Sequence, residues 1–344
     1  METFLNIDYP TWWFLVVGAV FSGYVILDGF DLGAGALHLF FKKDKSRRIA
    51  LNAVGPVWDG NEVWLVIGGG TLFAGFPVLY GTLLSAMYIP FMLFLLFIIL
   101  RAVAIEFRSK EEMKWWRNTW DVTYSVASIM LAFCLGLVLG NILQGMPLDE
   151  NHEYLGDWFA FFNFYAILIG ITTVALMSLH GGIFLCIKTE GRLYEKIRYL
   201  LKYAIVGFIL LFLVISVYSL LYFPHLSDKF KEYPILFAVP FMALLSIANI
   251  PRLVTRQKFK SAFVFSALTF AFLLITVAIE LYPQLLFATN DVTNSINVHN
   301  AASSDKSLGI MLTFVIIGVP LIAGYTYFVY RAFWGKVQMD ETSY

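Results

Sequence analysis

Residues 55–65 read GPVWDGNEVWL, and residues 24–37 read YVILDGFDLGAGAL. Each stretch sets two acids among Val, Leu, Trp and Gly: Asp59 and Glu62 in the first, Asp28 and Asp31 in the second. An ionised side chain in hydrocarbon costs several kcal/mol. Acids in such runs therefore either face protein and water, or the runs are not membrane helices.

The rest of the chain decides between these. Of 344 residues, 59% are hydrophobic and 14% charged, where a soluble domain carries about a quarter charged. Mean hydropathy is +0.74. That much apolar surface needs lipid around it, so the chain reads as one all-α, polytopic transmembrane domain built of antiparallel helix bundles. Apolar runs long enough to span lie near 12–41, 52–76, 78–107, 119–145, 158–187, 200–223, 261–288 and 308–334, with a shorter one at 234–250. That makes nine.

The basic residues test the count. With nine spans, twenty Lys and Arg fall on one side and only Lys229, Lys231 and Lys306 on the other, while Arg101 lies inside span three. By the positive-inside rule the twenty are cytoplasmic, placing the N-terminus outside and the C-terminus inside. Without span 234–250 the Arg256 cluster would fall outside. Trp12, Trp13 and Trp158 are expected at the outer interface, and Trp115, Trp116 and Trp334 at the inner one.

Other features narrow the classes. Net charge is zero, which gives no electrostatic case for nucleic acid. Cys134 and Cys186 lack metal-ligand spacing and read as free, buried thiols. The opening METFLNIDYPTWW has no basic region, so no cleavable signal peptide is expected. No Walker motif or dinucleotide fingerprint occurs. GAGAL and GGGTLFAG read as small residues that let helices approach. The polar stretch NDVTNSINVHNAASSDKS (290–307) is expected to be mobile.

Geometry gathers the acids. Folding spans one and two about Lys45 mirrors Asp31 on Asp59 and Asp28 on Glu62, and each helix carries its two acids three apart, on one face. At 1.5 Å per residue they lie about 20 Å from the loop centre. Four ionised carboxylates cannot share such a place, so some are expected to hold a proton at neutral pH. Carboxyls of that kind suit a proton relay. Asn61 could orient one of them, Arg101 could keep one ionised, and Glu106 is placed nearer the cytoplasm. The plainer alternative is that Asp31 or Asp59 caps a broken helix, which the nearby glycines allow.

A respiratory function would call for haem ligands. His152, His225 and His299 fall in outer loops and read as solvated. His38 and His180 lie near the cytoplasmic ends of spans one and five. A bis-His haem between them would need helix adjacency that the sequence does not show, so no haem or metal is assigned to this chain.

Four motifs, LDGFDLGAGAL (27–37), GPVWDGNEVWLVIGGGTLFAGFPVLY (55–80), RAVAIEFRSK (101–110) and HGGIFLCIKTEG (180–191), resemble subunit II of cytochrome bd quinol oxidase. The C-terminal third resembles it in hydropathy only. The resemblance implies a subunit of a bacterial inner-membrane terminal oxidase that oxidises quinol and reduces O2 to water. It implies a partner, subunit I, carrying haems b558, b595 and d, while subunit II carries none; a small extra subunit is left open.

By the same resemblance, Asp59 falls on the proton-path aspartate of the WDG motif, and Asp28 and Asp31 on the paired aspartates of DGFD. Glu106 stands where some members have Asp, and Glu62 where some have Gln. The expected relay runs from cytoplasmic water beside Arg108 and Lys110 to Glu106, then through Asp59 and Asp31, with Asp28 and Glu62 deeper and Arg101 tuning them. The competing reading is a proton-coupled transporter whose acids bind the coupling ion.

Overall fold

The computed structural model describes residues 3–338; the side chain of His225 lies outside the described residues. Twelve helices account for most of it: α1 Tyr9–Leu37, α2 Asp44–Val54, α3 Trp58–Gly75, α4 Pro77–Ala86, α5 Tyr88–Phe107, α6 Lys114–Gln144, α7 Phe164–Lys188, α8 Gly191–Tyr222, α9 Asp228–Glu232, α10 Ala238–Thr255, α11 Phe259–Leu281 and α12 Asp305–Ala332. Among the described residues eight helical segments are long and apolar enough to cross a membrane. The count is nine if α3 and α4, bent by 119°, form one span.

The run 78–107, expected as a single span, is broken. Pro77 opens α4 after the chain turns at Phe76, and α4 stops at Ala86. Pro90, in the first turn of α5, has no N–H to give the Ala86 carbonyl, so a new helix starts. Leu79 and Met87 stay buried in the same apolar cluster as Trp13 and Leu308, which keeps α4 at one end of the bundle. The expected start of span two, residues 52–54, belongs instead to α2, which ends before Gly55 and Pro56.

Contacts alternate between two ends, as serial crossings require. One end is basic: Arg108 meets Asp44, Lys188 Nζ donates to the Phe333 carbonyl, Lys336 Nζ to the Thr189 carbonyl, and Lys260 sits over Trp334. At the other end Trp13 Nε1 donates to the Leu308 carbonyl, so Trp13 is buried packing and not the interfacial anchor expected. Trp115 and Trp334 are exposed.

That other end carries a cap. Strand β1 (Gln284–Leu286) pairs antiparallel with β2 (Ile296–Asn297). Asn290 exchanges two hydrogen bonds with the Leu148 backbone, and Ile296, Val298 and Ala301 are fully buried. The stretch expected to be mobile is therefore folded, because its Asn side chains satisfy neighbouring backbone groups and its apolar residues share one core. His152, expected to be solvated, is half-buried with Nδ1 3.0 Å from the Asn294 carbonyl.

At the centre α1 packs on α3, α6, α7 and α11. Its backbone closes directly on α7: a methyl on Gly33 would overlap the Met177 carbonyl, and one on Gly181 would overlap the backbone at Gly33 and Ala34. GAGAL thus acts as expected. In GGGTLFAG, Gly68 and Gly75 lie against the Phe21 and Trp13 rings, while Gly69 and Gly70 have no other described residue within 4 Å. Cys134 and Cys186 are free thiols.

Candidate functional site

The acids of α1 lie where that helix is buried on every side. Asp28 is 0% exposed and meets the equally buried Arg101 of α5 in a two-pronged ion pair, Nη2 to Oδ1 at 2.7 Å and Nη1 to Oδ2 at 3.1 Å. The planar guanidinium matches both carboxylate oxygens at once. Glu62 of α3 approaches the same guanidinium at 4.0 Å, its side chain 14% exposed.

Asp31, one turn on, has a different partner. Asn61 Nδ2 donates to its Oδ2 at 2.7 Å and to the Leu27 carbonyl at 3.2 Å, while the Tyr330 hydroxyl of α12 donates to Asn61 Oδ1 at 2.9 Å. Asn61 therefore orients a carboxyl, as its position suggested. Its contact with Leu27 and Asp31 also matches the depth obtained by folding the chain about Lys45.

Asp59 is not gathered in. It sits in the first turn of α3 and is exposed, with open space beside Gly60. Asp28, Asp31, Glu62 and Arg101 form a compact cluster, and Asp59 lies one helical turn outside it, on the surface of this chain. No side-chain cap bond is formed at the start of α3, although an acid there is favoured by the helix dipole. Glu106 is half-buried and lies five residues beyond Arg101 toward the basic end, about 7.5 Å along the axis.

Arg108 was expected at a hydrated rim and is instead 1% exposed. Its Nε donates to Asp121 Oδ1 at 2.6 Å and its Nη2 to Asp44 Oδ1 at 2.8 Å. Asp121 also accepts from Arg47 Nη1 at 2.9 Å and contacts His38 Nε2 at 2.5 Å. This second network pins the turns that follow α1 and α5 to α2 and α6 at the basic end. The sequence reading missed Asp121, although an acid inside the 119–145 run was the available signal.

The imidazoles do not fit a haem. His180 has both nitrogens engaged, Nδ1 with Ser266 at 2.6 Å and Nε2 with the Ile26 carbonyl at 3.1 Å, and its ring stacks on Phe263. His38 is held by Asp121. A haem bridging the two would have to break the His180 bonds.

The family model for cytochrome bd terminal oxidase subunit II matches residues 9–333. A relative from Escherichia coli, cytochrome bd-I ubiquinol oxidase subunit 2, is 30% identical over 97% of each chain. One from Bacillus subtilis, cytochrome bd ubiquinol oxidase subunit 2, is 33% identical over 93% of this chain and 95% of its own. A chain in the structure of bd oxidase from Geobacillus thermodenitrificans shares the fold, with a TM-score of 0.75 and 20% identity over 95% of this chain and 98% of that one.

Proposed function

The chain belongs to the cytochrome bd terminal oxidase subunit II family, and from that premise we propose that it carries protons from the cytoplasm toward the oxygen site of the complex. As a member of that family it is a multi-span protein of the bacterial cytoplasmic membrane and a subunit of an oxidoreductase complex. The transporter alternative is not favoured by these relationships.

In the assembly we propose, subunit I is the partner. It holds haems b558, b595 and d and oxidises quinol, with room for a small extra subunit. The basic end faces the cytoplasm, by the Lys and Arg asymmetry. Four protons are consumed for each O2 reduced to water, and drawing them from the cytoplasm builds a gradient.

The observation that carries the reading is the succession of acids from the buried interior to the surface. Asp31 and the Asp28–Arg101 pair lie inside, Glu62 stands beside Arg101 with part of its side chain exposed, and Asp59 is open on the same helix. A proton leaving this chain for a neighbouring subunit needs a carrier at the surface, and the exposure of Asp59 supports that part for it. Glu106 is the carrier nearest the cytoplasm, and Arg101 is the pairing partner of Asp28. The chain's second part is scaffolding for subunit I.

The test is Asp59→Asn in the assembled complex. Oxygen consumption should fall by roughly tenfold or more, the scale of losing a proton-transfer group, while the haem absorption spectrum is kept. Wild-type turnover with the complex intact would remove Asp59 from the route.

A further inference from the structure

The two oxygens of Asp31 are not equivalent. Oδ2 accepts from Asn61 Nδ2 at 2.7 Å, whereas Oδ1 is buried with no hydrogen-bond partner among the described residues. An amide can turn either its NH2 or its oxygen toward a carboxyl, and the choice decides the chemistry. Facing NH2, a carboxyl oxygen must accept; facing the amide oxygen, it must carry the proton and donate.

Two neighbours make this choice for Asn61. The Leu27 carbonyl lies 3.2 Å from Nδ2, so a reversed amide would set oxygen against oxygen. The Tyr330 hydroxyl, from a helix 269 residues further along the chain, donates to Asn61 Oδ1 at 2.9 Å. We propose that Tyr330 and Asn61 are a positioning pair that confines the exchangeable proton of Asp31 to Oδ1. This rests on the proton role proposed above for Asp31.

The consequence is directional. Oδ2 stays tied to Asn61 in both charge states, so proton uptake and release both occur at Oδ1. The charged and titratable groups around Asp31 are Asp28 on its own helix, Glu62 on α3, Arg101 on α5, Tyr124 on α6 and Tyr330 on α12. Arg101 commits both terminal nitrogens to Asp28. Asn61 is thus the side chain that orders Asp31, and Tyr330 is what orders Asn61.

The test uses the assembled complex and two readouts. In infrared difference spectra, the carboxylic C=O band that Asp31→Asn removes is expected to shift in Tyr330→Phe, which keeps the ring against Phe30. The pH profile of oxygen consumption is expected to move by about half a unit to one unit in Tyr330→Phe, the worth of one neutral hydrogen bond. It should not move when the same change is added to Asp31→Asn. Should Tyr330→Phe fail to assemble, Asn61→Leu removes the donor itself and must shift the band.

An unmoved band, or no band lost in Asp31→Asn, overturns the positioning role whatever the turnover. Wild-type turnover in Asp31→Asn, with a band that still shifts in Tyr330→Phe, would take Asp31 off the proton route and uphold the positioning pair.

Discussion

Asp28 and Arg101 join α1 to α5 through two hydrogen bonds, of 2.7 and 3.1 Å, with neither side chain more than 1% exposed. A buried pair of this kind is costly to break and far less costly to replace, because removing one partner leaves the other charge without compensation. Arg101→Gln or Asp28→Leu alone should destabilise the subunit by about 3–5 kcal/mol. The double change Asp28→Leu with Arg101→Met should recover much of that loss. Thermal unfolding of the purified complex checks this, and a double variant no better than the worse single one refutes it.

Arg108 and Arg117 both reach Asp44, at 2.8 and 3.2 Å, but Arg108 is buried and Arg117 is 27% exposed. Arg108→Gln strands Asp121 with fewer donors and should cost about 3–5 kcal/mol. Arg117→Gln removes a surface pair and should cost at most about 1 kcal/mol. Comparing the two melting temperatures decides whether Arg108 is a buried clamp or a hydrated entry group.

Gly33 and Gly207 form a control pair. A methyl on Gly33 meets the α7 backbone, while nothing lies within 4 Å of one on Gly207. Gly33→Ala should lower stability by about 1–3 kcal/mol, the usual cost of overpacking. Gly207→Ala should be neutral or slightly stabilising, since Ala is the better helix former. Yield and melting temperature of each variant give the answer.

At the capped end, Asn290→Ala removes two hydrogen bonds to the Leu148 backbone and strands the Leu148 N–H, while the Leu148 carbonyl still accepts from Asn294 Nδ2. Loosening of the 284–303 segment by about 1–3 kcal/mol is expected. Faster hydrogen exchange confined to that segment, with the helices unchanged, is the signature. Unchanged protection there would mean that the apolar residues alone hold the cap.

Much of this was legible without coordinates. Hydropathy located the long crossings, and the distribution of Lys and Arg kept the short span at 234–250. Counting residues from Lys45 set Asp31 level with Asp59 and Asp28 level with Glu62. The acids marked α1 and α3 as the helices that carry buried polar contacts, because charge in an apolar run is too costly to be left without a partner.

What counting cannot supply is the direction a side chain takes around its helix. Position along an axis follows from 1.5 Å per residue, but rotation about that axis is set by what packs there. Asp59 and Asp31 were matched in depth, yet packing turned Asp31 into the interior and left Asp59 on the surface. The same rule took Arg108 and Trp13 inside, while Pro90, with no N–H to give the Ala86 carbonyl, broke the 78–107 run. The sequence by itself determined how far along its helix each charge lies, because the rise per residue is fixed; only the tertiary structure decided which partner it meets.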